Sequence, residues 1–415
     1  MEPAVEREAM LDTKETADDL QAAMVDRTRR RLARTGMTLL PAVEQAMLNV
    51  PRHLFTDETP LQEVYGDDAV ITLRDPRGLA VSSVSAPWLQ AAQLTQAEVQ
   101  AGDHVLEVGS GGYNAALARE IVGPTGSVTS IDIDMLVTAR ARRCLAAAGY
   151  SDVEVLEHDA EFELPGGRVF DKIIVTVGLW DIPAALVSQV AEGGRLVVPL
   201  RTMSMTRSWA LDRKSDALVS RNNVLCGFVQ VRGEGASAGT SVRLQQEPEV
   251  GLWCDEAQDI DAEKLAGVLD QPRAEVWSGI TIPGATTVSD LDVWLATRLP
   301  GFCQITADPR AIEAGTVDLP RPWGMPAFVE GSTLAYRRRN RPVDEQRTRL
   351  EFGAIAHGPD SERAAQFLAE QVRAWDGAGR PAPVLTVHPK DTPDVDLPEG
   401  FHLQKRHTRL TISWQ

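Results

Sequence analysis

The chain has 415 residues, 43% hydrophobic and 24% charged, with a formal net charge of -17. At roughly 100–200 residues per domain this length predicts two domains, and the composition is that of a globular protein with material for more than one core. The acidity argues against broad capture of nucleic acid or of an anionic membrane surface, so neither is expected as a partner.

In chain order, residues 1–20 are acidic and polar with no apolar face, and predict a flexible N-terminus with order beginning near Leu20. They lack the basic start and apolar run of a secretory signal, and no run of ~18 apolar residues follows anywhere, so a cytoplasmic protein is expected. "LQAAMVDRTRRRLARTGM" and "PAVEQAMLNV" predict two helices, the second opening on Pro41. A third helix is expected between Pro87 and Val99.

A regular alternation follows. "HVLEV", "SVTSIDI", "VEVLEHD", "DKIIVTVG" and "GRLVVPL" predict strands, and "YNAALAREIV", "MLVTARARRCLAAAG" and "IPAALVSQV" predict helices. That order implies an α/β fold with a doubly wound parallel sheet covered on both faces, finished by a hairpin of "SWALDR" and "LCGFVQVRG". "GEGASAGTS", Gly233 to Ser241, is a linker candidate, dividing the chain into residues 21–234 and a C-terminal α+β domain of residues 235–415. The latter carries an amphipathic "SERAAQFLAEQVRAW" and a closing strand "TRLTISW".

In such a sheet, ligands bind beyond the carboxyl ends of the strands, where a glycine turn lets them approach the backbone. Gly109, Gly111 and Gly112 stand at that turn, preceded by Glu107, and Asp132 and Asp159 close the next two strands. An acid at the second strand end suits ribose hydroxyls, and one at the third suits an adenine amine. Each alone is more often a helix cap or a solvated loop residue. Together they favour a cofactor with hydroxyls, an amine and positive charge over a diphosphate, which three carboxylates would repel.

The segments "LEVGSGGYNAALA", "SIDID", "HDA" and "FDKIIVTVGLWDIPAAL" resemble, in order, the motifs of class I S-adenosylmethionine-dependent methyltransferases. "MLNVPRHLF", "VSSVSAPW" and "DIPAAL" narrow the resemblance to the protein-L-isoaspartate O-methyltransferase family, over about Met24 to Gly233. The resemblance implies a Rossmann-like fold with S-adenosyl-L-methionine as cofactor and S-adenosyl-L-homocysteine as product. It implies catalytic roles for Ser85 and Ser83. It implies cofactor contacts from Ser83, Val84, Ser85, Glu107, Gly109, Ser110, Gly111, Asp132, Ile133, Asp159 and Ala160. Trp88, Val177 and Trp180 are the corresponding substrate-binding positions, and no metal is implied.

Trp88 stands where the family usually has His or Tyr, Leu179 and Trp180 replace small residues and a proline, and repair enzymes of the family generally end near Gly233. The added half resembles that of extended members in biosynthetic systems for ribosomally made peptides, including lanthipeptide, FxLD-type and graspetide systems. The implied reaction methylates an aspartate side chain in a modified, macrocyclic precursor peptide. The ester then leads to a succinimide (aspartimide) and onward to isoaspartate. The alternative is repair of L-isoaspartyl residues in damaged proteins.

Four widely spaced cysteines, Cys144, Cys226, Cys254 and Cys303, and seven histidines show no metal-ligand spacing. The basic island "YRRRNR", Tyr336 to Arg341, suits an acidic leader or core peptide or, more often, a solvated hairpin turn, and "RTRRRLAR" is more often a helix face than a nucleic-acid contact. Trp253, Trp277, Trp294 and Trp323 suit core positions or peptide anchors. Oligomeric state is left open by the sequence.

Overall fold

The computed structural model describes residues 16–237, 239–255, 260–284, 286 and 288–415. Most of the expected flexible N-terminus, residues 1–15, lies outside the described residues. Order begins before Leu20: Thr16 Oγ1 accepts the Asp19 amide at 3.2 Å while Asp19 Oδ2 accepts the Thr16 amide at 3.2 Å. This reciprocal cap satisfies two backbone donors and starts the helix at Ala17, from which it runs to Arg34.

The helices Pro41–Asn49, Pro87–Ala97, Tyr113–Val122 and Met135–Ala147 form where the apolar spacing places them. The strands His104–Val108, Ser127–Asp132, Glu154–Glu157, Phe170–Val175 and Val190–Thr202 pair in parallel. His104–Val108 lies between Ser127–Asp132 and Phe170–Val175, so the direction of winding reverses there. This is the class I methyltransferase fold, with an additional sheet-rich C-terminal region.

The expected closing hairpin is shifted. Met205–Lys214 pairs with Ala217–Leu225 through a turn at Ser215, whose φ is +55°. The polar residues of "SRNNV" hide the alternation of the second strand, whereas "CGFVQVRG" leaves the sheet as an extended strap. A further hairpin, Val70–Arg74 with Ala80–Val84, has no counterpart among the expected elements and carries Ser83.

The two faces of the parallel sheet are covered differently. Val105, Ile174, Val197 and Ala210 face the helices of the N-terminal part. Their neighbours of opposite parity, Leu106, Ile173, Leu196 and Trp209, pack in one cluster with Leu291, Trp294, Leu295 and Trp375 from beyond residue 235. The C-terminal region therefore supplies a cover layer that the expected helices do not provide by themselves.

That region contains an antiparallel sheet in the order 240–245, 250–254, 302–307, 325–330, 333–337, 349–357, 273–283. The helix Ser361–Gly377 buries Ala364, Ala365, Leu368 and Val372, a stripe with helical spacing, against it. The chain then returns to the first sheet. The strand Pro383–Pro389 pairs with Ala217–Leu225, and Thr408–Trp414 and Phe401–Gln404 extend the same edge. A boundary near residue 235 thus separates the start of the second sheet but not the two ends of the first, which needs residues on both sides of the cut. Among the described residues no helix is long and apolar enough to cross a membrane.

Candidate cofactor and methyl-acceptor site

The turn after His104–Val108 is shaped by a close contact. Gly109 has φ +98°, its amide donates to the Ile131 carbonyl at 2.8 Å, and a Cβ there would lie 2.6 Å from Thr176 Oγ1. Only glycine tolerates both the left-handed backbone and that approach. Thr176 Oγ1 donates to the Gly109 carbonyl at 2.7 Å, tying the turn to the neighbouring strand end.

Asp132 Oδ2 accepts the Ser110 amide at 3.1 Å, and Oδ1 accepts the Asp134 amide at 2.9 Å. Burial raises the Asp132 pKa, opposed by these amides and by Arg232. Asp159 Oδ1 accepts the Glu161 amide at 3.0 Å. Glu107 lies beneath the turn, fully buried, and Oε2 accepts the Ser130 hydroxyl at 2.5 Å. Burial pushes its carboxyl up to about 7, with the Ser130 bond acting in the other direction.

Ser83, Val84 and Ser85 are held from behind by Arg52, part of the "VPRHLF" segment. The buried guanidinium donates to the carbonyls of Ser85 at 3.0 Å and Val64 at 2.8 Å, and to Gln90 Oε1 at 2.8 Å. Its planar fork meets several fixed acceptors at once, which a lysine could not do.

Two small cavities meet at Gly109. One gathers Gly109, Asp132, Ile133, Asp159, Ala160 and Val177. The other gathers Ser83, Val84, Ser85, Glu107, Gly109 and Gly111. Ser110 is buried beside them. Two of the expected substrate-binding residues are not brought there. Trp88 faces the first helix, where the Arg31 guanidinium lies 4.2 Å from its ring centre. Trp180 is covered by Lys405, whose Nζ lies 4.4 Å from its ring centre. In both cases a cation from a distant segment lies over the indole face.

Other residues reach the site without any signal at sequence level. The strap after Leu225 crosses the first cavity with Gln230, Val231 and Arg232. Its Val229 carbonyl accepts the Gly178 amide at 2.8 Å, and its Val231 amide donates to the Gly178 carbonyl at 3.0 Å. Arg232 bridges to Asp134 at 3.0 Å and lies 3.9 Å from Asp132. At Gly233, with φ +81°, a Cβ would lie 2.6 Å from Asp159 Oδ2. Asn114 is found only through the fold, at the start of the helix after the turn.

The sequence model of the family described as protein-L-isoaspartate(D-aspartate) O-methyltransferase (PCMT) matches residues 23–235. The chain belongs to this family. It is 36% identical over 213 residues to protein-L-isoaspartate O-methyltransferase 2 of Archaeoglobus fulgidus, covering 50% of this chain and 94% of that protein. It is 40% identical over 172 residues to the Ignicoccus hospitalis protein-L-isoaspartate O-methyltransferase, covering 41% of this chain and 79% of that protein. A solved protein-L-isoaspartate O-methyltransferase aligns at 20% identity over 94% of this chain and 99% of its own, with a TM-score of 0.48. A Plasmodium falciparum structure described as being in complex with S-adenosyl-L-homocysteine aligns at 16% identity over 51% of this chain and 98% of its own, with a TM-score of 0.44.

As a member of this family, the chain is a carboxyl O-methyltransferase that uses S-adenosyl-L-methionine. The residues present fit that cofactor. Three carboxylates surround a turn into which no Cβ fits, an arrangement hostile to phosphate and suited to hydroxyl and amine donors. Ser110 Oγ and Asn114 Oδ1 are buried without a hydrogen-bond partner among the described residues. Such groups are costly to leave unpaired, and a polar ligand at the turn would satisfy them.

The basic island and the tryptophans take several positions. Tyr336 and Arg337 are buried, while Arg338, Arg339 and Arg341 pair with Asp318, Glu275 and Glu351. The island is thus largely neutralised by its own domain. Trp294 is core, Trp277 lies under Arg338 and Arg341, Trp253 lies under Arg201, and Trp323 is 77% exposed.

Proposed function

We propose that this chain methylates the side-chain carboxylate of an aspartate in a constrained, modified precursor peptide, with residues beyond 235 contributing to recognition of that peptide. What carries the reading is the way the added region is built into the catalytic unit. It packs Trp294 against the parallel sheet and extends that sheet's edge with residues 383–414. A merely tethered accessory domain would need neither contact.

When bound, S-adenosylmethionine supplies a methyl group on a sulfonium, an electrophile that an ionised carboxylate attacks without a base. Asp132 would take the ribose hydroxyls and Asp159 with Ala160 the adenine end, while Gly109, Ser110 and Gly111 flank the methionine portion. Ile133 and Val177 line the same cavity. Ser85 would orient the acceptor carboxylate beside Gly109, with Ser83 next to it. The contribution of these groups is alignment and exclusion of water. In the ester product, the next backbone nitrogen attacks the side-chain carbonyl, loses its proton and expels methanol. The resulting succinimide opens with water to isoaspartate or aspartate.

A second reading, methylation of L-isoaspartyl residues in damaged proteins, is favoured by the identity of 36–40% to relatives described as isoaspartate methyltransferases. The two are separated by incubating the full chain and cofactor with three acceptors: an isoaspartyl peptide, a linear aspartyl peptide, and a cyclised aspartyl peptide. Methyl gain followed by loss of methanol on the cyclised peptide alone supports the first reading. Turnover confined to the isoaspartyl peptide supports the second and removes the first.

A further inference from the structure

We propose that a cleft centred on Arg31 and Trp88 binds the peptide segment next to the methylated residue and selects acidic side chains there; this rests on the reading of the chain as a peptide carboxyl methyltransferase. Pro87 and Trp88, which open the helix two residues after Ser85 in the chain, line the first part of the cleft. Its first part, of about 380 Å³, is walled by Arg27, Arg30, Arg31 and Arg34, with Asp67 as its acidic member. Arg27 is paired with Asp67 at 2.9 Å, and Arg30 with Asp26. Arg31 and Arg34 are exposed and have no carboxylate partner among the described residues. In a chain of net charge -17, two uncompensated guanidinium groups on one side of a cleft form a local reversal of the surface potential.

The second part, of about 480 Å³, shares Arg31 and Trp88 and runs to the C-terminal region. There Arg321 and Arg337 share Asp292 at 3.4 and 3.2 Å, while Asp290 on the same wall is held at 3.2 Å by the buried Arg207. Arg337 is only 4% exposed, and neither its Nε nor Asp292 Oδ1 has a hydrogen-bond partner among the described residues. A buried guanidinium with an unmet donor, lining an open cleft, calls for an anion. The two ends thus offer arginine forks to carboxylates, with the Trp88 indole between them as an apolar anchor. A few carboxylates on one peptide match this pattern, whereas a polyanionic strand would meet the acidic surface around it.

The test uses the full chain, S-adenosylmethionine and paired acceptor peptides that differ only in their flanks, four Glu against four Gln, each made with aspartyl and isoaspartyl acceptors. The Glu-flanked peptides are expected to have kcat/KM higher by about tenfold, equivalent to ~1.4 kcal/mol, chiefly through KM. In the double variant Arg31→Glu, Arg34→Glu, both positions being exposed on a helix, the ratio between the two flanks falls to about one or below. Equal use of both flanks by the unaltered chain overturns the proposal, as does a variant that slows both peptides by the same factor. If no acceptor is methylated, the reading beneath the proposal has failed, and the cleft is judged by anisotropy of a fluorescein-labelled Glu-flanked peptide. Binding lost in the double variant then supports the cleft. Absence of binding, or equal competition by a single-stranded oligonucleotide, overturns it.

Discussion

The guanidinium of Arg232 stands 3.0 Å from Asp134 Oδ2 and 3.9 Å from Asp132 Oδ1, although 98 positions separate Arg232 from Asp134 in the chain. It pins the strap that crosses the proposed cofactor cavity. Arg232→Gln shortens the side chain and removes the charge and the fork. Affinity for S-adenosylhomocysteine, measured by calorimetry, is expected to fall roughly fivefold, the scale of one partly exposed ion pair. An unchanged dissociation constant would show that the strap needs no such pin.

Ser85 is expected to act on alignment of the acceptor rather than on cofactor binding. Ser85→Ala should lower kcat with any methylated peptide by roughly 10- to 100-fold, the range that misalignment of reacting groups produces. The dissociation constant for S-adenosylhomocysteine should change much less. Unaltered turnover would remove Ser85 from the mechanism.

Glu107 gives the fold a pH dependence with a definite sign. Its carboxyl titrates near 7 when folded, against an ordinary carboxylate value when the chain is unfolded. The folded state therefore binds the proton more tightly, and this group's contribution to stability is full below about pH 4.5 and declines as pH rises toward 7. Glu107→Gln should flatten that decline and stabilise the protein without cofactor at pH 8 by on the order of 1–3 kcal/mol. Urea unfolding at pH 5 and pH 8 checks it; a variant with the same pH slope as the unaltered chain contradicts the assignment.

Arg52 is buried and serves the carbonyls of Val64 and Ser85 together with Gln90. Burial lowers its pKa to about 10, which still leaves it charged at neutral pH. Arg52→Lys keeps a charge but leaves acceptors unmet, so stability should drop by about 2–4 kcal/mol. Thermal unfolding reads this directly, and loss of methyl transfer under conditions where the variant stays folded reports the displacement of Ser85.

Removing residues 235–415 should expose the face carrying Leu106, Ile173, Leu196 and Trp209 and the edge strand Ala217–Leu225. The shortened chain is expected to aggregate, as an uncovered apolar face and a free strand edge do. A soluble monomer with native-like near-ultraviolet dichroism, by size exclusion and spectroscopy, would instead make the two halves separable.

Much of the fold was legible because its signals are local. The strand "HVLEV", the helix "YNAALAREIV" and the closing "TRLTISW" coincide with His104–Val108, Tyr113–Val122 and Thr408–Trp414, since apolar spacing and glycine turns act within a few residues. Glu107, Gly109, Asp132 and Asp159 were legible for the same reason: each sits at the end of a strand whose order in the sheet follows from alternation with helices. The polar strand Ala217–Leu225 was not, because its partners rather than its own pattern hold it in place.

By itself, then, the sequence determined the parallel sheet, its glycine turn and the set of carboxylates around it. Tertiary structure decided where Trp88 and Trp180 point, that Arg232 reaches Asp132, and that residues 383–414 complete the sheet begun at His104. These depend on charges and strand edges that meet only after distant segments pack. Contacts across such separations leave no periodicity in the chain, so they become visible only when the fold closes the distance.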